Sequence, residues 1–264
     1  MKLIGLLFIS LLVTGCAKTA DLVNYSASGS NDTRTKYKSA VLNSGPSYYW
    51  RVAQNNSDGL IREIVQGNTG QLRGGYTLSS NGGVFNSSEG SVNFNGTSSY
   101  IDLVRQVVMT DSFSIEFWFK TSIAGGSLAS FTAISFNRGT TADFQIYMTD
   151  GGILYWGLDS GTMVTCSSTN SYSNGAWHQV VAAYGGLTGL ILYVDGTSIC
   201  NQTVSISDFS ATGNWEFAGN DLTSWPSRPS SDYYSGLFDE VSIYDSVLPL
   251  TTVKAHYATG TGTQ

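Results

Sequence analysis

From residue 41 to about residue 248 the chain is a succession of short, aromatic-rich segments, and none of them keeps a helical period. "SVNFNG" (91–96), "SYIDL" (99–103), "FSIEFWFKT" (113–121), "FTAISFN" (131–137) and "FQIYMT" (144–149) read as strands. So do "ILYWGL" (153–158), "WHQVVAAY" (177–184), "LILYVDG" (190–196) and "WEFAG" (215–219). Between them lie hairpin-type turns such as "NGG" (81–83), "DGG" (150–152) and "VDGTS" (194–198). Strand after strand without intervening helices predicts an all-β, two-sheet antiparallel sandwich of jelly-roll type. One short C-terminal helix is expected over "PLTTVKAHYA" (249–258), where Pro249 suits a first turn and Leu250, Val253 and Tyr257 share a face.

The first sixteen residues are an address. "MKLIGLLFISLLVTGC" has Lys2, an apolar run from Leu3 to Val13 and small residues before Cys16, the layout of an export signal too short to span a membrane. Its Val-Thr-Gly-Cys ending resembles a bacterial lipobox, which implies cleavage after residue 15 and lipid on Cys16. Ala17, rather than Asp, favours the outer membrane by the same resemblance, on its periplasmic face or at the cell surface. The expected division is a signal over 1–15, a lipidated Cys16 with a flexible polar tether over 16–40, and a jelly-roll domain over 41–264. The remaining cysteines, Cys166 and Cys200, are an even pair for an oxidising compartment and lie in no CxxC pattern, so a disulfide is expected. Net charge is −6 with 12 % charged residues and no basic stripe, which argues against a nucleic-acid partner.

One segment puts two carboxylates into an otherwise mostly apolar run: "GLFDEVSIYDSVL" (236–248). Regular alternation places Leu237, Asp239, Val241 and Ile243 on one face and Phe238, Glu240, Ser242 and Tyr244 on the other. Adjacent carboxylates on opposite faces cannot flank one glycosidic bond. No GxSxG, HExxH or phosphate loop occurs. The two histidines, His178 and His256, lack convergent partners in sequence, so no catalytic residue is expected.

Read in order, several segments resemble the LamG-like jelly-roll family of the concanavalin A-like lectin/glucanase superfamily. They are "VLNSGPSYYWRV" (41–52), "GSVNFNGTSSYIDL" (90–103), "DSFSIEFWFKT" (111–121), "NGAWHQVVAAYGG" with "LILYVDGT", and "YYSGLFDEVSIYDSVLPLTTVKAHY". The resemblance implies two curved sheets with the opening and closing strands side by side. It also implies a structural calcium ion held by the closing-strand Asp239 and a loop that reads "REIVQGNTGQL" here, with Asn68 and Glu63 as the available ligands. Arg51, on the opening strand, is the alternative partner for Asp239 or Glu240.

For ligand contact, the long loop "GNDLTSWPSRPSSDYYSG" (219–236) offers Trp225, Arg228, Asp232, Tyr233 and Tyr234, the mix of aromatic faces and hydrogen-bonding groups that sugars require. A covered loop with Trp225 beneath it is the structural alternative. Tyr172, near Cys166, marks a second patch. The expected function is a membrane-anchored, non-catalytic module that recognises carbohydrate or a surface protein. A structural component of the envelope or an appendage is the alternative, with glycan hydrolysis behind both.

Overall fold

The computed structural model describes residues 33–53, 58–84, 90–103, 106–136, 143–204 and 210–263. The expectations for the signal and for Cys16 lie outside the described residues.

Among the described residues, two antiparallel sheets face each other. The first runs in the order β15 (Thr197–Gln202), β14 (Gly189–Val194), β13 (Trp177–Gly185), β8 (Ser112–Lys120), β17 (Ser235–Tyr244), β5 (Ser91–Asn95) and β4 (Thr77–Ser79). β1 (Tyr48–Trp50) also pairs with β17, so the opening and closing strands lie side by side. The second runs β12 (Met163–Ser171), β11 (Ile153–Asp159), β10 (Asp143–Met148), β9 (Gly126–Phe136), β16 (Ala211–Phe217), β6 (Tyr100–Leu103), β3 (Thr69–Arg73) and β2 (Leu60–Arg62), with β7 (Val107–Met109) on β16. The apolar residues of these strands alternate inward and form one core between the sheets, with Phe113, Phe117, Phe131, Phe144, Trp156, Trp215 and Phe238 at its centre. Cys166 of β12 is disulfide-bonded to Cys200 of β15, which joins the edge strand of one sheet to the edge strand of the other.

A second core lies on the outside of the first sheet, under two helices. α2 (Leu250–Thr261) is the expected C-terminal helix, extended by one turn and closed by Gly262 in the left-handed conformation. α1 (Thr33–Asn43) corrects the expected tether: residues 33–40 are helical, with Arg34, Tyr37 and Val41 buried. Tyr37 and Val41 pack with Tyr49, Trp118, Val181, Tyr244 and Val253. Trp118 and Tyr193 face these helices rather than the space between the sheets.

β17 also departs from regular alternation. Asp239 pairs with Trp118 but Ser242 with Glu116, so one residue is inserted, and Glu240 takes φ 54°. This bulge reverses the alternation beyond it. Phe238, Val241 and Ile243 therefore all point between the sheets, while Tyr244 points to the helices. Asp239 and Glu240, expected on opposite faces, both meet the same guanidinium, that of Arg34 in α1.

Candidate functional site

Among the described residues, the outer face of the second sheet is free of helices and carries the cleft. β16 buries Ala211, Gly213, Trp215 and Phe217, so its alternate residues Asn214 and Glu216 point outward. Asp102 of β6 pairs with Glu216 and points the same way, as does Tyr100 two residues earlier. The chain leaving β16 then forms the long loop of residues 219–234, which returns beside its own start: Asn220 N donates to the Asp232 carbonyl at 3.4 Å and Tyr234 N to the Ala218 carbonyl at 3.0 Å. Between loop and sheet is a cleft of about 320 Å³ lined by Tyr100, Glu216, Gly219, Asn220, Asp221, Asp232 and Tyr233. Gly219 is required there, since a Cβ would stand 2.6 Å from the Tyr233 ring.

The chemistry of the cleft is two phenol rings among carboxylates and an amide. The rings of Tyr100 and Tyr233 lie 6.5 Å apart at 51°. Asn220 Nδ2 donates to Glu216 Oε2 at 2.8 Å. Burial first, and the Asp102 charge second, push the Glu216 carboxyl above its ordinary range, with the Asn220 hydrogen bond opposing them. Asp221 is held below its ordinary range by hydrogen bonds from the Thr223 hydroxyl and backbone. Asp232 ties the loop together: Arg228 donates to it at 2.9–3.2 Å and Leu222 N at 3.2 Å.

Of the residues singled out in the loop, Asp232 and Tyr233 line the cleft and Arg228 braces it through Asp232. Two corrections follow. Trp225 is 8 % exposed and packs with Tyr147 and Leu222 against the sheet, so the loop covers it. Tyr147 donates to the Pro226 carbonyl at 2.6 Å and pins the loop over that tryptophan. Tyr234 is fully buried among the residues between the sheets, its hydroxyl donating to the Lys120 carbonyl at 2.9 Å. Tyr172 does not line the cleft; it stands edge-on to the His178 ring at 5.0 Å. Tyr100, Glu216, Asn220 and Asp221 were not singled out from the sequence, although strand alternation marks the first two as outward-facing.

The residues considered for calcium do not fit that ion. Asp239 accepts from Arg34 Nη2 at 3.2 Å, Gly83 N at 2.9 Å and Glu240 N at 2.9 Å, so a guanidinium takes the place of a cation. Glu63 accepts the backbone N–H groups of Tyr49 at 2.8 Å and Val65 at 2.6 Å, and Asn68 accepts from Glu63 N through its own carbonyl. Among the described residues no group of three or more His, Cys, Asp or Glu is placed to hold a metal. Arg51, the alternative partner, lies 3.8 Å from Glu240 Oε1, farther than Arg34 at 2.6 Å.

The histidines are equally occupied. His178 lies 2.7 Å from Asp195 Oδ2 and 3.0 Å from Asn174 Oδ1, one contact for each ring nitrogen. His256 lies 2.9 Å from Glu116 Oε2 and 2.9 Å from Ser44 Oγ, beneath α1. Glu116 also accepts from Tyr37, Gln179 and Tyr244 at 2.7–3.0 Å. Each imidazole is thus held on both ring nitrogens by partners from the fold itself.

The family model described as the concanavalin A-like lectin/glucanases superfamily, of laminin G type, matches residues 95–254, more than half of the chain. The chain belongs to this superfamily. No curated protein matches it. Among solved structures this superfamily member is similar to domain 4 of AbnA, an extracellular arabinanase from Geobacillus stearothermophilus, in complex with arabinotriose. That match has a TM-score of 0.60 at 14 % identity and covers 80 % of this chain and 98 % of that one. The binding domain of Paraclostridial Mosquitocidal Protein 1 matches with a TM-score of 0.61 at 13 % identity, over 83 % of this chain and 53 % of that one. The binding domain of botulinum neurotoxin DC in complex with SialylT gives 0.55 at 14 % identity, over 83 % and 52 %. The chain thus spans about half the length of those toxin domains, and at these identities the likeness is one of fold.

Proposed function

We propose that the chain is a non-catalytic glycan-recognition module whose ligand lies in the cleft on the outer face of the second sheet. The observation that carries this reading is the convergence of Tyr100 and Tyr233 with Glu216, Asn220 and Asp221 around one opening. Phenol rings offer faces to the C–H surfaces of a sugar, and carboxylates and an amide bond its hydroxyls. That folds like this one include domains solved with arabinotriose and SialylT supports carbohydrate as the ligand class. Lipid on Cys16 and attachment to the outer membrane complete the proposal, on the strength of the export-signal pattern.

The test is binding of the purified chain to a broad glycan panel, with Y233A and Y100A beside it. Each alanine variant is expected to weaken binding about two- to twelvefold, the loss of one stacking contact of about 0.5–1.5 kcal/mol. Full affinity in both variants places the ligand elsewhere. A second reading, a protein partner on the same face, is favoured by Val108 and Ile134, which are 60 % and 59 % exposed beside Thr212 of β16. Retained glycan-free binding to a surface protein, lost in V108D/I134D, would support it.

A further inference from the structure

We propose that the cleft selects its glycan by charge, admitting sugars without acid groups and turning away uronate- and sialate-bearing ones, with Glu216 as the residue that sets the choice. This rests on the reading of the cleft as a glycan site and names the ligand class within it.

Among the described residues the lining contains three carboxylates, Glu216, Asp221 and Asp232, and neither lysine nor arginine. A fourth, Asp102, stands directly across the strand pair from Glu216. Among the described residues, the two arginines paired with this group are already engaged. Arg228 holds Asp232 with both Nε and Nη2, at 2.9–3.2 Å, and Arg73 Nη2 lies 3.6 Å from Asp102. Recognition of a sugar carboxylate calls for a guanidinium fork or an ammonium aimed at it, and the cleft lining supplies neither. A uronate entering between Tyr100 and Tyr233 would instead bring its own charge against Glu216 and Asp221, and like charges in a half-enclosed site disfavour binding. Hydroxyl groups meet no such obstacle, because each is a donor for a carboxylate oxygen.

Glu216 is the group placed to decide. It projects from a central strand rather than from the loop, so its position is fixed by the sheet, and Asn220 Nδ2 holds one of its oxygens at 2.8 Å. Burial does most to raise its pKa, and the Asp102 charge, which adds to the rise, is the part that reflects neighbouring negative charge. Glu216→Gln keeps the shape and still offers Asn220 an acceptor while removing one charge. Asp221, at the exposed rim, contributes less.

The experiment compares neutral glycans with acidic counterparts: galactan with polygalacturonate oligomers and mannan with mannuronan oligomers, whose sugars are oxidised at C6, and a neutral lactose-type glycan with its sialylated form, which carries one added acidic sugar. Affinities are measured at low and moderate salt for the purified chain, E216Q and D221N, with melting curves as a folding control. The expected result is at least tenfold preference for the neutral member of whichever pair binds, falling several-fold in E216Q and less in D221N. Equal or tighter binding of the acidic member overturns the charge selection while leaving the cleft as a glycan site. A preference that E216Q leaves untouched removes Glu216 from the role. No binding to either member of any pair, by a folded chain, overturns the glycan reading itself and the selection with it.

Discussion

Arg34 is a charged residue that solvent does not reach, held 3.2 Å from Asp239 and 2.6 Å from Glu240. Tyr49 adds a hydroxyl donated to Glu240. Replacing Arg34 by alanine strands two buried carboxylates, and breaking a buried pair in this way costs about 3–5 kcal/mol. R34A should lose that much in urea unfolding; a loss below about 1 kcal/mol would mean that the carboxylates find other partners. The same helix–sheet layer sets the pH response. For His256, burial lowers the pKa but the Glu116 charge and hydrogen bond outweigh it, leaving the pKa above 6.5. Its contribution is therefore whole below pH 6.5 and lost as pH rises through the folded value. Glu116 is raised by burial but lowered further by His256 and its hydrogen-bond donors, to below 4.5, so its contribution is present above pH 4.5 and lost as pH falls through the folded value. Burial, together with Glu240 and against Arg34, pushes Asp239 up to about 7, so the folded chain gains a proton between 3.8 and that value and stability declines as pH rises across the range. Melting temperature should peak in mildly acidic solution and fall toward about pH 8. An optimum at alkaline pH contradicts this arrangement of charges, and H256Q should flatten the alkaline side.

Among elements, α2 is seated by contact of its backbone with one ring. Gly260 lies over Trp118 so closely that a Cβ would stand 2.4 Å from Cζ2, while Tyr257 stacks on the same indole at 5.9 Å. G260A forces the helix or the indole to shift and should cost about 1–3 kcal/mol, with faster hydrogen exchange in α2 than in β8. Unchanged stability would show that the helix rides above the ring with room to spare. The disulfide acts on two edge strands that share no hydrogen bonds. C166A/C200A opens a loop spanning 34 residues and should lose about 3–4 kcal/mol by the chain-entropy argument, read in denaturant melts. These elements also show what sequence pattern conveys. β8, "SFSIEFWFK", announces itself because aromatic residues crowd it, and the C-terminal helix because Pro249 opens an apolar stripe. β12, "MVTCSSTNS", and β15, "TSICNQ", do not, because as half-exposed edge strands they bury few apolar side chains. α1, "TRTKYKSAVLN", reads as a polar tether because two of its three buried residues are Arg34 and Tyr37. Their burial is decided by Asp239, Glu240 and Glu116, far along the chain. The cleft was half legible for the same reason. The loop's length and aromatics pointed to Asp232 and Tyr233, whereas Tyr100 and Glu216 join the site only through strand pairing.

For the molecule as a whole, the folding unit begins earlier than the strand pattern indicates. A fragment starting at residue 41 lacks Arg34 and Tyr37, leaving Asp239 and Glu240 without their shared guanidinium, Glu116 without one of its hydroxyl donors and part of the second core uncovered. That fragment should melt about 6–20 °C below one starting at residue 31, since losing about 3–5 kcal/mol of buried pairing shifts a domain of this size by about 2–4 °C per kcal/mol. Equal melting temperatures would show that α1 is dispensable. The ion pair between Arg34 and Asp239 joins residues 205 apart in sequence. At about 5–20 residues per second, some 10–40 seconds of synthesis separate the arginine from its carboxylate. β17, which carries that carboxylate, also sits between β8 and β5 in the first sheet, so the earlier strands wait for it as well. No N-terminal portion can complete itself as it emerges. The chain closes only when its last strand arrives, and until then its order of manufacture keeps it open.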